Sequence, residues 1–68
     1  MAIKRMPTDI ELMAIPLAGC GEYELSDIES KRLRTRLYSI NKNNAAGWRF
    51  RTMREGRLLL VWRLVLWA

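Results

Sequence analysis

The stretch from Trp48 to Trp62, WRFRTMREGRLLLVW, limits the fold more than any other part of this chain. Two runs rich in aromatic and branched apolar residues flank a short polar segment containing Gly56, the pattern of two antiparallel strands joined by a tight turn. Loop length then decides which side chains share a face, because a one-residue slip in pairing moves a whole strand's side chains to the other side. A two-residue turn at Glu55-Gly56 puts Arg49 opposite Trp62 and Arg51 opposite Leu60, which sets two arginines on the apolar side. A three-residue loop, Arg54-Glu55-Gly56, gives Gly56 the left-handed position such a loop requires. It pairs Trp48 with Trp62, Phe50 with Leu60 and Thr52 with Leu58. That register is the one expected: an apolar face carrying Trp48, Phe50 and Trp62, and an opposite face carrying Arg49, Arg51, Met53, Arg57, Leu59 and Val61, with Arg63 following.

At 68 residues the chain has room for one small domain, and a core of that size is marginal alone. Cys20 is the only cysteine and histidine is absent, so neither an intrachain disulfide nor the usual zinc ligand set is on offer. No cofactor or metal is expected. Oligomerisation is the remaining source of support. The amino terminus reaches acidic residues before any apolar run long enough for a signal peptide, and Leu58 to Ala68 is too short to span a bilayer and contains Arg63. A cytoplasmic chain without membrane contact is the expectation.

Charge is unevenly placed. The first 29 residues hold Lys4 and Arg5 against six acids, a balance of −4; from Ser30 onward ten basic residues face Glu55 alone, a balance of +9, and the whole chain is +5. Such asymmetry points to a polyanionic partner for the second half.

Residues 1–7 read as a short arm and residues 8–68 as one domain. Thr8-Asp9-Ile10-Glu11 matches a capping box, in which the hydroxyl and a carboxylate three residues on satisfy free amides at a helix start. A short helix follows, although IELMAI also fits a strand, and Pro16 with Gly19-Cys20-Gly21 closes it in a loop. Cys20 reads as a loop thiol, with a redox or interchain role as the sharper alternative. Glu22 to Leu25 alternates polar with apolar and can add a brief strand. Ser26-Asp27-Ile28-Glu29 repeats the capping box. At about 100° per residue, Leu33, Leu37 and Ile40 share a stripe while Ile28 lies opposite, so one straight helix exposes Ile28. A break near Ser30, giving a very short helix at 27–29 and a longer one at 31–42, is expected to avoid this. Asn41 to Gly47 is a stop and turn.

The polar arc of the 31–42 helix carries Lys31, Arg32, Arg34, Arg36 and Lys42 beside Thr35, Tyr38, Ser39 and Asn41, with no acid. Arg32 and Arg36, four apart, repel by a few tenths of a kcal/mol, a penalty that bound phosphates relieve. A solvated face and a site for an acidic protein are the competing readings. Trp48, Phe50 and Trp62 read as core rather than stacking platforms, and Tyr38 is open between packing and phosphate contact.

The resulting order is short helix, loop, brief strand, short helix, basic helix, turn and basic hairpin. It resembles the winged helix-turn-helix domains of small prokaryotic and phage regulators, most closely over Ser39 to Leu64, SINKNNAAGWRFRTMREGRLLLVWRL. The resemblance implies an α+β, winged-helix-like domain of two or three short helices plus a C-terminal β-hairpin in a two- or three-stranded antiparallel sheet. It also implies that Lys31, Arg32, Arg34 and Thr35 reach base edges from the start of a recognition helix, while Arg49, Arg51, Arg54 and Arg57 hold phosphate or a narrow minor groove from the wing. Arg36 and Lys42 complete the expected nucleic-acid-binding set.

The last strand, Leu58 to Trp67, is apolar on both faces, so either the arm or a second subunit covers it. A homodimer through that strand is expected, which also suits a symmetric double-stranded DNA site. No histidine is available as acid or base and Cys20 has no activating base nearby in the sequence, so catalysis and a small-molecule substrate are not expected. The reading is a small DNA-binding regulator; the alternative is an interaction module or inhibitor that docks on an acidic host protein.

Overall fold

Two hydroxyls start two helices. In the computed structural model, which describes residues 2–65, Thr8 Oγ accepts from the Glu11 amide at 3.2 Å and Glu11 accepts from the Thr8 amide at 3.1 Å. This box opens α1 (Asp9–Met13). Ser26 and Glu29 exchange the same pair of bonds, at 3.2 and 3.1 Å, and open α2 (Asp27–Asn43).

The expected break near Ser30 is absent: α2 runs unbroken from Asp27 to Asn43. Ser30 continues the helix, donating its amide to the Ser26 carbonyl at 2.8 Å, and its side chain is buried under the sheet, where the hydroxyl accepts from Arg54. The unbroken helix leaves Ile28 67 % exposed. A lone apolar side chain in water is tolerated on a folded surface, and it costs less than leaving a second set of helix-end groups uncapped.

Three antiparallel strands complete the fold: β1 (Cys20–Glu24), β2 (Trp48–Glu55) and β3 (Leu58–Val65). Their spatial order is β1-β3-β2, so the last strand is central. The hairpin exists where expected, but its register is neither of the two weighed from the letters. Glu55 pairs with Leu58, Phe50 with Arg63 and Trp48 with Val65, leaving Gly56-Arg57 as a two-residue loop. Gly56 has φ of 59° and Arg57 does not share the positive φ, the pattern of a type II′ turn, whose twist matches that of the strands.

This register reverses the expected faces of β3. The helix-covered face carries Trp48, Phe50, Thr52 and Arg54 from β2, Leu59, Val61 and Arg63 from β3, and Gly21 and Tyr23 from β1. Leu12, Ile15, Tyr23, Leu25, Leu33, Leu37, Phe50, Leu59 and Val61 form the buried core on that side. The open face carries Arg49, Arg51, Met53 and Glu55, then Leu58, Leu60, Trp62 and Leu64, then Cys20, Glu22 and Glu24.

Arg49 and Arg51 on the apolar side were the objection to a Glu55-Gly56 turn; in the register found it is Arg54 and Arg63 that face inward, and each meets partners, one at either end of the sheet. Arg54 donates to Asp27 at 3.0 Å, to the Leu25 carbonyl at 3.4 Å and to Ser30. Arg63 stacks over the Trp48 ring at 4.2 Å and donates to the Met13 and Ile15 carbonyls at 3.0 and 3.1 Å, satisfying the free end of α1. A half-buried cation is tolerated when most of its donors are met.

The sheet edges are occupied as well. Ile3 of the arm forms a parallel bridge on β1, donating to the Glu22 carbonyl at 3.0 Å and accepting from the Glu24 amide at 2.8 Å. On the other edge Asn41 donates to the Phe50 carbonyl at 2.9 Å and accepts from its amide at 2.8 Å, while Asn44 donates to the Trp48 carbonyl at 2.7 Å. An asparagine thus stands in for a fourth strand and clamps α2 to β2.

Candidate nucleic-acid interface

The twelve cations divide by whether they find a partner inside the fold. Lys4 pairs with Glu24 at 3.8 Å, Arg5 with Glu11 at 2.6 Å, Arg36 with Asp9 at 2.7 Å and Arg54 with Asp27 at 3.0 Å. Arg63 is held inside, as described above. Four of the seven acids are thereby neutralised next to the elements that bear them. Lys31, Arg32, Arg34, Lys42, Arg49, Arg51 and Arg57 remain, all exposed and without an ion-pair partner among the described residues.

Ten residues were expected to bind nucleic acid, and the structure separates them. Arg36 also donates to the Pro7 carbonyl at 2.9 Å and ties α2 to the start of α1. Its charge is met by Asp9, so the Arg32–Arg36 repulsion inferred from spacing is relieved within the chain. Arg54 is drawn under the sheet, as shown above. Thr35 is exposed, but its hydroxyl donates to the Lys31 carbonyl of its own helix at 3.0 Å.

The other seven lie on α2 and the hairpin. At about 100° per residue, Lys31, Thr35, Tyr38 and Lys42 run down the side of α2 opposite Leu33 and Leu37, with Arg34 turned towards β2 and Arg32 towards α1. Tyr38, left open by the sequence, is 69 % exposed. Two grooves follow the seam between α2 and β2: one of about 310 Å³ is lined by Asp27, Ser30, Lys31, Arg34 and Arg54, and one of about 250 Å³ by Tyr38, Asn41, Lys42 and Arg49. Arg57 occupies the hairpin turn, and Arg51 lies on the open sheet face beside Trp62.

The aromatic residues split. Trp48 and Phe50 meet edge to face with ring centroids 5.1 Å apart on the inner side. Trp62, expected in the core with them, points to the open face because of the two-residue loop. Asn41 and Asn44 are the positioning residues that sequence reasoning missed. Their segment reads as a helix stop, and only the distance of Asn41 from the end of α2, on the side facing β2, could have signalled the clamp.

Partial burial pushes the Cys20 thiol up, with Glu22 adding to the shift, which disfavours the thiolate a nucleophile or metal ligand needs. Among the described residues no cluster of three His, Cys, Asp or Glu side chains is placed to hold a metal ion, and no helix is long and apolar enough to cross a membrane.

The expected dimer strand Leu58–Trp67 extends past the described residues. Within them β3 has no free edge, because β1 and β2 flank it and the 18–19 loop continues the pairing, with the Arg63 amide donating to Gly19 and the Ala18 amide donating to Arg63. No protein-family model matches the chain, and neither a curated protein nor a solved structure is detectably similar to it.

Proposed function

We propose that the chain is a small double-stranded DNA-binding regulator, of transcriptional or phage type, that lays the outer face of α2 in the major groove and the β2–β3 hairpin along the backbone as a wing. One observation carries this reading. The acids of the first half are largely spent on internal ion pairs, leaving seven exposed and unpartnered cations on α2 and the hairpin. Exposed like charges on one helix destabilise it slightly, and phosphates offset that cost while releasing counterions. Lys31, Arg32, Arg34 and Lys42 supply the helix contacts, with Arg34 suited to two parallel bonds to guanine. Arg49 and Arg57 supply backbone contacts that set register more than sequence. Arg36 and Arg54 act by holding α2 against α1 and the sheet. This role implies a cytoplasmic chain.

Docking on an acidic host protein is the second reading. It is favoured by the exposed Ile28, which lines a groove of about 420 Å³ with Lys31, Arg32 and Thr35 and offers apolar contact inside a basic rim. Charge reversal at Arg34→Glu with Lys42→Glu separates a DNA protein from an inert basic surface. Both side chains are exposed, so the circular dichroism spectrum and Tm are expected to stay unchanged while retention of a labelled random duplex at low salt is lost. Unchanged retention overturns the proposal. Failure of the unaltered chain to retain duplex at all directs attention to the acidic-protein reading.

A further inference from the structure

The fold closes its sheet edges and leaves a sheet face bare. Ile3 pairs along β1, and Asn41 and Asn44 occupy β2 at Phe50 and Trp48, so little free edge is left for the addition of a strand. The open face has no covering element among the described residues, yet Leu58, Leu60, Trp62 and Leu64 run down its centre and Met53 beside them is 50 % exposed. A groove of about 400 Å³ opens between Arg51, Met53, Trp62 and Leu64.

Charge on this face is laid out in stripes. Acidic Glu22 and Glu24 lie on β1, the apolar row on β3, and basic Arg49 and Arg51 on β2, where Glu55 stands alone at the turn end. A polyanion lying across the face meets the glutamates, and a purely apolar partner strands charge on both sides. A two-fold axis parallel to β3 exchanges the stripes: it lays the apolar row on itself and sets the acidic strand of each copy over the basic strand of the other. A two-fold axis across the strands superposes like on like.

We infer that the open sheet face is a homodimer interface, packed face to face about an axis along β3, with Glu22 of each copy paired to Arg51 of the other. Packed sheets lie about 10 Å apart, and Glu22 stands one row from Arg51, since they pair with Leu60 and Trp62 of the same strand. That row step is about 7 Å along the strand, within the span of an arginine side chain. Glu24, which the same operation brings towards the second copy's Glu55, is already paired with Lys4. The interface goes beyond the nucleic-acid reading and leaves α2 free.

The test is sedimentation equilibrium of the full chain with Glu22→Arg, Arg51→Glu and both together. Both substitutions are at exposed positions, and circular dichroism checks the fold of all three variants. The unaltered chain is expected to dimerise, each single variant to weaken the dimer by about tenfold or more, and the double variant to recover it. An equimolar mixture of the two single variants is expected to form a heterodimer, because both ion pairs are then restored in reversed and native sense. A monomeric unaltered chain, or single variants that dimerise as well as it does, overturns the proposal. Quenching of Trp62 by a single-stranded oligonucleotide, lost in Trp62→Leu, overturns it in favour of nucleic acid on this face. Duplex retention through Lys31, Arg34 and Lys42 is measured separately and stands or falls on its own.

Discussion

Arg63 joins three parts of the molecule through one guanidinium. It sits on central strand β3, covers the Trp48 ring of β2 and donates to two carbonyls at the end of α1. Its Nε finds no acceptor among the described residues, so the position is satisfied on one side of the fork only. Removing the side chain leaves the Met13 and Ile15 carbonyls without these donors and uncovers Trp48. Arg63→Ala is therefore expected to cost about 2–4 kcal/mol, read as a lower urea midpoint, and Arg63→Lys to recover only part, since a point charge cannot serve two carbonyls and a ring together. An unchanged midpoint in Arg63→Ala contradicts this role. The carbonyls that Arg63 reaches lie 50 and 48 positions back along the chain, and Asp27 and Ser30 lie 27 and 24 positions back from Arg54. Local spacing registers only that an inward arginine is costly. The register found is neither of the two that the letters set against each other, and the distant partners that remove the cost of its inward arginines are invisible to a pattern of neighbours.

Element boundaries are another matter, because the contacts that set them are short-range. Thr8 with Glu11 and Ser26 with Glu29 were legible as helix starts, since each box needs only residues three apart. The existence of the hairpin was legible too, while the choice between loops was not. Gly56 serves either loop at positive φ, and the decision rests on burying Leu59 and Val61 with Phe50 under helices far off in sequence. The first capping box gives a pH prediction. The Arg5 guanidinium, with help from the Thr8 amide, holds the Glu11 carboxyl down at about 2, from an ordinary 4.5. A folded-state pKa below the unfolded one adds stability above the unfolded value, and that stability is lost as pH falls through the folded value. Tm is expected to decline between about pH 4.5 and about 2. In Glu11→Gln the decline in that window is expected to be shallower, with a lower Tm at neutral pH. Parallel profiles for the two proteins contradict the assignment.

For the whole molecule, the segregation of charge visible in the composition becomes a division of labour in space. Four of the six acids of the first half pair with the arm, α2 and the turn end of the hairpin, and the cations left over face outward from α2 and the wing. That surplus was legible from the letters at Lys31, Arg32, Arg34, Lys42, Arg49, Arg51 and Arg57. The withdrawal of Arg36 and Arg54 from it was not, because Asp9 and Asp27 each stand 27 positions away. The most direct test is binding of the chain to random duplex DNA across a salt series, with oligomeric state recorded on the same sample. On random duplex, where no guanine stands in a fixed place for Arg34, Lys31, Arg32, Arg34, Lys42, Arg49 and Arg57 engaging one phosphate each predict a log–log slope of about −5 per chain, and no retention in Arg34→Glu with Lys42→Glu. No retention of the duplex by the unaltered chain at low salt, or a slope near zero, contradicts the account.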